Sequence, residues 1–345
     1  MNNYTRIHGI NVSVLVIDWK TYACVGDWAF TLDKEVCWPD PADMVAKLKA
    51  MGVNEVMISL HPWAEPGSVS YGEMKSQGLC LSYPNGTAVE WGGWGLPQTC
   101  NSSGTEPHGG NCLYDPSNPA AREYLWKKLK SSYYDHGIRQ FWTDGTEPAG
   151  PPGNNLLPDD VAFHGGLPAN ASFMMWPVWH SKTAYEGAIA AGGEPGWSLA
   201  RSAWAGSHLH NTIVWSGDIS SEWGTLADQV RGGLNMQLTY PYWNSDTGGF
   251  YSGNTSDPIA SGFAELQTRW FQFSIFCSIT RLHGDRVSKE AKHTVPLQEQ
   301  CDPTVRTRAI AVVLHKLSSC GTTCRMYGPG FDRLLVITGS GRRSD

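Results

Sequence analysis

Residues 41–60, PADMVAKLKAMGVNEVMISL, decide the fold class, because they contain a helix followed at once by a buried strand. Apolar residues recur at helical spacing over Pro41–Met51, with Asp40 in the capping position and Gly52 after the last turn. Glu55–Leu60 is a short, mostly apolar run, as expected for a strand that is covered on both faces. The pair predicts one repeat of an α/β fold with parallel strands.

The same alternation continues on both sides of this stretch, beginning with a strand at Val12–Asp18. Further predicted strands are Arg139–Asp144, Trp197–Ala203, Thr212–Trp215, Gln237–Trp243 and Thr280–His283. Further predicted helices are Asn118–Tyr134, Met174–Ala191, Ser221–Leu234 (capped by Ser220 or Ser221) and Ala260–Ile279. Residues 63–112, rich in Gly, Pro and Ser, predict a long loop-rich insertion. We count seven strand–helix units, and therefore predict an incomplete (β/α)8 TIM barrel over residues 1–300.

Charge and composition exclude two classes of partner. The 26 basic and 32 acidic residues give a net charge of −6, and no basic block offers a footprint for nucleic acid. No apolar run is long enough to span a membrane. The 16 Trp and 13 Tyr suit an enzyme whose sugar substrate stacks on aromatic rings, although a large core also needs aromatic residues.

Cysteines and glycosylation sequons favour a secreted glycoprotein. Six N-x-[S/T] sequons are present, at Asn3, Asn11, Asn85, Asn101, Asn170 and Asn254. Of nine Cys, two pairs have spacings that would close small disulfide rings, Cys24/Cys37 and Cys100/Cys112, and Cys277 is predicted to be a buried thiol. No Cys or His has zinc-ligand spacing, so we predict neither a metal ion nor a cofactor. The first residues lack a signal peptide, which predicts that the chain is part of something longer.

Polar side chains end one predicted strand after another, at Asp18, His61, Asp144, Asp218, Asp246 and His283. In a (β/α)8 barrel, the carboxyl ends of the strands meet at the mouth where chemistry takes place. A single Asp at such a position is explained equally well as a helix cap, whereas four carboxylates at the same station are not. Glycoside cleavage needs two carboxyl groups on either side of the scissile bond, so these residues are candidates for that reaction.

Several of these segments resemble glycoside hydrolase family 31. FWTDGTEP (141–148) is similar to the strand that carries the family's nucleophile, which implies that role for Asp144. LARSAWAG (199–206) and VWSGDISSEW (214–223) resemble the family's paired strands, which implies that Arg201 binds substrate and that Asp218 is the acid/base. Trp142 and Trp215, close before the two carboxylates, are expected to wall the innermost sugar subsite or to pack in the core.

Three further segments extend the resemblance over about residues 10–300, in the family's order. PYWNSDTGGF (241–250) implies that Asp246 lies beside the active site. TRLHGD (280–285) implies that His283 contacts sugar hydroxyls, and VLVIDW (14–19) implies the same for Asp18 in the innermost subsite. Glu147 is interpreted as a supporting carboxylate, while His61, His208 and His210 are interpreted as ordinary loop or subsite residues.

The resemblance implies a retaining α-glycosidase that removes terminal non-reducing α-xylosyl or α-glucosyl residues from oligosaccharides by double displacement. IDWKTYACVGDW (17–28) and FWTDGTEP are closer to the α-xylosidase branch. Three alternatives stay open: an inactive truncated fragment, a sugar-binding relic, and a metal-dependent barrel hydrolase.

The two ends of the chain depart from the family pattern. The chain opens at what resembles the second barrel strand, so the first strand–helix unit is expected to be missing. Residues 301–345 form an atypical tail that disorder or a misframed gene model would explain. Within it, TVRTRAIAVVLHKLSSC (304–320) is expected to form a closing helix.

Overall fold

A computed structural model describes residues 13–18, 21–22, 24–30, 38–91, 110–147, 160–251, 262–284, 308–314 and 334–339. The chain forms two compact units. The first unit comprises Met1–Asp18, Asp43–Met57 and Val214–Asp345, and the second comprises Trp19–Ala42 and Ile58–Ile213. Among the described helices, none combines the length and the apolar character needed to cross a bilayer.

The first described elements are β1 (Val14–Asp18), α1 (Pro41–Ala50) and β2 (Glu55–Leu60). They reproduce the strand–helix–strand repeat predicted from residues 12–60. Gly52 has φ of 90°, a left-handed conformation that glycine adopts without steric cost, and this turn leads from α1 into β2. The interiors of both strands are buried.

The second unit contains four further α-helices and seven further strands among the described residues. Its elements are β3 (Trp63–Ala64), α2 (Val69–Ser76), β4 (Glu90–Trp91), β5 (Asn111–Leu113), α3 (Pro119–Ser132), β6 (Gln140–Thr143), β7 (Ala162–Phe163), β8 (Leu167–Pro168), α4 (Ala169–Ser172), α5 (Trp176–Ala190) and β9 (Ser198–Ala200). The helix α3 begins where expected, because the Asn118 side chain accepts a hydrogen bond from the Ala120 N–H (3.0 Å) and Pro119 occupies the first turn.

The segment at 63–112, predicted to be a loop-rich insertion, contains regular structure. β3, β5 and β4 form a three-stranded antiparallel sheet, and α2 precedes β4 in the chain. A disulfide joins Cys80 to Cys112 with a Cα–Cα distance of 5.3 Å. Residues 92–109 of this segment lie outside the described part of the chain.

The parallel strands of the second unit bring three chain segments side by side. β6 pairs with β9 from Phe141 opposite Ser198 to Thr143 opposite Ala200. Just beyond, the Asp144 N–H donates to the Leu60 carbonyl (3.0 Å) and the Arg201 N–H donates to the Thr143 carbonyl (3.2 Å). The carboxyl ends of β2, β6 and β9 are therefore neighbours.

Beyond β1, α1 and the start of β2, the described residues of the first unit contain two strand–helix pairs, one further strand and two late strands. These elements are β10 (Thr212–Trp215), α6 (Trp223–Thr239), β11 (Trp243–Asn244), α7 (Phe263–Ser274), β12 (Ile279–Leu282), β13 (Arg308–Leu314) and β14 (Leu334–Gly339). β10 and β11 are parallel, with Trp215 opposite Asn244. The helices α6 and α7 bury a small core around Leu226, Leu266 and Trp270.

Two predicted elements are wrong. The strand expected at Gln237–Trp243 is reduced to β11, since α6 continues to Thr239 and starts after Glu222 rather than after a serine cap. Arg308–Leu314, within the closing helix expected at 304–320, form β13 instead, which pairs antiparallel with β1. Its run of Ala, Ile, Val and Leu suits a strand as well as a helix, and pairing with another strand decides between them.

Cysteine pairing also differs from the expectation. Cys112 bonds to Cys80 and not to Cys100, because the antiparallel β5 region brings positions 80 and 112 together. Cys24 is disulfide-bonded, and Cys37, its expected partner, lies outside the described residues. Cys277 is a buried free thiol, as predicted, and burial raises its pKa to about 12.

Candidate active site

The carboxylate of Asp144, directly after β6, is held on both oxygens. Its Oδ1 accepts hydrogen bonds from the Gly145 N–H (2.8 Å) and from Nη1 of Arg201 (3.4 Å). Its Oδ2 lies 3.6 Å from Nε2 of His61, the residue that follows β2. Two side chains from neighbouring strand ends thus converge with Asp144 in the second unit.

These neighbours keep Asp144 ionised. Burial by itself raises the pKa of this carboxyl, because a charge is poorly solvated inside a protein. The His61 imidazole, the Arg201 guanidinium and the Gly145 N–H act in the opposite direction, and together they hold the pKa of Asp144 below its ordinary value. A carboxylate in this environment is suited to attack an electrophilic carbon.

Arg201 is itself fixed by a second carboxylate. Its Nε donates to Oε1 of Glu147 at 2.7 Å, on the loop after β6. The next residue, Ser202, donates its hydroxyl to the Thr146 carbonyl at 2.7 Å. The loops after β6 and β9 are therefore tied together, and Glu147 is engaged by the arginine that also contacts Asp144.

The first unit gathers the other candidate residues. One ligand atom each from Asp218, Asp246 and His283 lies within 4.8 Å of the other two. Asp218 follows β10, Asp246 follows β11 and His283 follows β12, so the strand-end pattern in the sequence correctly predicted their proximity. His283 is buried and its ring lies 5.0 Å from that of Phe250.

Arg281, on β12, is a buried residue that the sequence did not single out. Its side chain and that of Asp246 are both 0% exposed, and Nη2 of Arg281 donates to Oδ1 of Asp246. The guanidinium carbon also lies 5.3 Å from the ring centroid of Trp215. The only sequence signal was a basic residue within an otherwise uncharged strand.

Asp218, Asp246 and His283 have the residue types and spacing that a cation would accept. However, the Arg281 guanidinium already supplies a positive charge to Asp246. The absence of a resident metal stays a prediction.

Three further site residues predicted from the sequence are Trp142, Trp215 and Asp18. Trp142 and Trp215 are each 1% exposed, so nearly all of their surface is packed against protein. Asp18, at the end of β1, is half-buried and lies opposite Arg308 of β13. Their roles toward a sugar stay predictions.

The histidines divide into two groups. His208 is exposed on the short 3-10 helix Ser207–His210, and Nδ1 of His210 lies 3.1 Å from the Ser181 hydroxyl. His61, in contrast, contacts the Asp144 carboxylate. The sequence placed His61 at a strand end but could not show which neighbouring strand end it would face.

In each unit, carboxylates and basic side chains lie at the carboxyl ends of strands. Polar residues at these positions are typical of the catalytic domains of (β/α)8 barrel enzymes. Comparison with known proteins specifies this class. Residues 1–310 match the Glycosyl hydrolases family 31 TIM-barrel domain. The chain therefore belongs to glycoside hydrolase family 31, which confirms both the predicted α/β barrel class and the family resemblance.

Relatives support the same assignment. A family 31 glucosidase of Pseudescherichia vulneris is 34% identical over 80% of this chain and 47% of its own length. An alpha-xylosidase of Saccharolobus solfataricus is 32% identical over 83% of this chain and 35% of its own length. The crystal structure of an alpha-xylosidase from a soil metagenome, complexed with xylose, superposes with a TM-score of 0.69 at 35% identity, covering 82% of this chain and 38% of that chain. The chain thus spans less than half the length of these relatives.

Proposed function

We propose that this chain carries the catalytic domain of a retaining α-glycosidase, acting on terminal non-reducing α-xylosyl or α-glucosyl residues of oligosaccharides. The observation that carries the proposal is the environment of Asp144, a mostly buried carboxylate whose pKa is held low by His61 and Arg201. A nucleophile in glycoside hydrolysis must be ionised and aimed, and this site provides both conditions.

In the proposed mechanism, one oxygen of Asp144 attacks the anomeric carbon and forms a β-glycosyl ester. Asp218 donates its proton to the departing glycosidic oxygen, so that the aglycone leaves as an alcohol. Asp218, now a carboxylate, then takes a proton from water, and the resulting hydroxide oxygen displaces Asp144. The sugar is released with its α configuration, and both carboxyl groups regain their starting states.

The remaining candidate residues bind and orient the sugar in this proposal. Arg201 lies against Asp144, and we expect its guanidinium to contact the bound ring. His283 and Asp18 are expected to contact sugar hydroxyls. Such contacts use binding energy to hold the anomeric carbon in line with the attacking oxygen.

An α-xylosyl unit is the preferred substrate in this proposal. Similar proteins named as alpha-xylosidases include those of Saccharolobus solfataricus and Aspergillus niger. The two candidate sugars differ by the C6 hydroxymethyl group, so the ratio of kcat/KM for 4-nitrophenyl α-xyloside to that for the α-glucoside measures the choice directly. A ratio below one would assign the chain to α-glucosides.

The test of the mechanism is Asp144→Ala, with Asp228→Ala as the matched control. Asp228 is an exposed carboxylate on α6, paired with Arg231 at 3.0 Å, and its removal is expected to leave turnover unchanged. Asp144→Ala is expected to lower kcat by a factor on the order of 10⁴ or more. Proton NMR of the first product is expected to show the α anomer. Full activity in Asp144→Ala, or a β product, would contradict the proposal.

We also propose that the protein is a secreted glycoprotein. The Cys80–Cys112 disulfide supports an oxidising compartment, and Asn85 and Asn170, in two of the sequons, are exposed. Expression in a secreting eukaryotic host, followed by endoglycosidase treatment, is expected to release glycans and lower the apparent mass. An unchanged mass would contradict the glycosylation.

A further inference from the structure

His61 lies against the oxygen of Asp144 that the other donors leave open. Gly145 and Arg201 both approach Oδ1, whereas Nε2 of His61 approaches Oδ2 at 3.6 Å. The His61 side chain is 2% exposed. The His61 imidazole is therefore packed inside the protein, next to the Asp144 carboxylate.

The backbone places the two residues side by side. Asp144 N–H donates to the carbonyl of Leu60 at 3.0 Å, so the residue after β2 lies beside the residue after β6. The carbonyl of His61 accepts a hydrogen bond from the indole N–H of Trp28 at 2.9 Å. These hydrogen bonds fix the position of the His61 backbone, independently of any contact that the ring makes.

The ring is also oriented. The Tyr22 hydroxyl lies 3.4 Å from Nδ1 of His61, and the Trp63 ring packs edge-on with centroids 4.7 Å apart. When Tyr22 donates to Nδ1, the proton of a neutral imidazole resides on Nε2 and points at Asp144. Protonation of the ring keeps that Nε2 proton in place, so both charge states of His61 present a donor to Oδ2.

We propose that His61 is a positioning residue for Asp144: its Nε2–H restrains Oδ2, so that the carboxylate is held at both ends and cannot rotate away from the attacking orientation. This inference rests on the proposed role of Asp144 as nucleophile. A carboxylate restrained at one oxygen alone remains free to turn about its Cβ–Cγ bond. Restraint at both oxygens leaves one orientation, which lowers the entropy lost on reaching the transition state.

Charged and titratable groups face this pair from several elements. Tyr22 approaches His61 from the segment after β1, Asp144 from the end of β6, and Arg201 approaches Asp144 from the end of β9. Glu147 contacts Nε of Arg201, whereas Asp144 contacts Nη1. The effect of His61 on Asp144 is therefore measured with Arg201 and Glu147 unchanged.

The experiment uses the full 345-residue chain with His61→Phe and His61→Asn, which remove the donor facing Asp144, and His61→Gln, whose amide nitrogen reaches a similar position. The exposed His208→Phe is the matched control. The first readout needs no turnover: carbodiimide coupling of an amine to Asp144, followed across pH by peptide mass spectrometry. Carbodiimide reacts with the protonated carboxyl, so the midpoint reports the ionisation of Asp144 in place.

Loss of the donor is expected to move that midpoint upward by about one pH unit in His61→Phe and His61→Asn. His61→Gln and His208→Phe are expected to stay close to the parent. With 4-nitrophenyl α-xyloside, kcat of the first two variants is expected to fall roughly 10- to 100-fold with KM within about threefold, and the acidic limb of kcat/KM is expected to follow the midpoint. A purely structural role for His61 would lower activity without moving either limb or midpoint.

An unchanged midpoint in folded His61→Asn overturns the proposal, whether or not the chain turns over substrate. If His61→Phe does not fold, His61→Asn provides the same measurement with a smaller side chain. Failure of the proposed function is a different result: Asp144→Ala keeps full activity, while the effect of His61 on the Asp144 midpoint is measured regardless.

Discussion

Two adjacent glycines in α6 separate helix propensity from core packing. Gly232 is exposed, and a Cβ built on it has no atom within 4 Å. Gly233 is buried, and its Cβ would lie 2.4 Å from Cζ3 and 2.9 Å from Cη2 of Trp243. Trp243 is 5% exposed and its ring packs against Phe273, so it cannot swing into solvent.

The magnitudes follow from these contacts. Alanine in place of glycine stabilises a helix interior by about 0.5–1 kcal/mol, and this gain is common to both positions. Carbon atoms pack at roughly 3.5–4.0 Å, so Gly233→Ala must displace the Trp243 ring by about 1 Å. Overpacking of this kind costs about 1–3 kcal/mol. The difference in unfolding free energy between Gly232→Ala and Gly233→Ala therefore isolates the packing cost.

Urea unfolding, followed by far-ultraviolet circular dichroism, measures the difference. The midpoint is expected to rise for Gly232→Ala and to fall for Gly233→Ala relative to the parent, with unchanged slopes. A Gly233→Ala midpoint equal to or above that of Gly232→Ala would refute the packing of α6 on β11.

Two further predictions concern buried ionisable groups. Burial lowers the pKa of His180 to about 3, so its neutral folded form contributes full stability above pH about 6.5, and this stability is lost as pH falls toward 3 because the unfolded state gains a proton first. Between pH 7.5 and 5, the unfolding free energy of His180→Phe is expected to fall by about 2 kcal/mol less than that of the parent, as measured by urea titration. Equal losses would contradict this prediction. Arg281→Met leaves the Asp246 carboxylate buried without its arginine and is expected to cost about 3–5 kcal/mol of unfolding free energy. Added Asp246→Asn should restore part of it; a single-variant loss below about 1 kcal/mol would rule out a structural role for the pair.

Local sequence was sufficient where local forces determine structure. β2 was predicted with its observed bounds, and α1 to within one residue, because apolar periodicity and a following glycine act over a few residues. The proximity of Asp218, Asp246 and His283 was also predictable, since each ends its own strand and parallel strands end at the same edge.

Where two structures suit the same residues, the sequence was insufficient. Gln237–Thr239 continue α6 although they were expected in a strand, because a short apolar run suits either element. The apolar run within 304–320 became β13 for the same reason: β1 was available as a partner. Cys112 forms a disulfide with Cys80 because antiparallel pairing brings the two residues together. The spacing of cysteines along the chain does not predict this pairing.

The sequence by itself therefore determined the α/β class, the family and the strand-end residues that the site would draw on. Tertiary structure decided which of those residues meet. His61 was one polar residue among many until the hydrogen bond between Asp144 and Leu60 aligned two strand ends and brought Nε2 to 3.6 Å from Oδ2. The pairing of Arg281 with Asp246 likewise depends on the fold, because both side chains are fully buried and each balances the charge of the other. Both contacts join residues far apart in the chain, and their energies depend on burial that exists only in the folded protein.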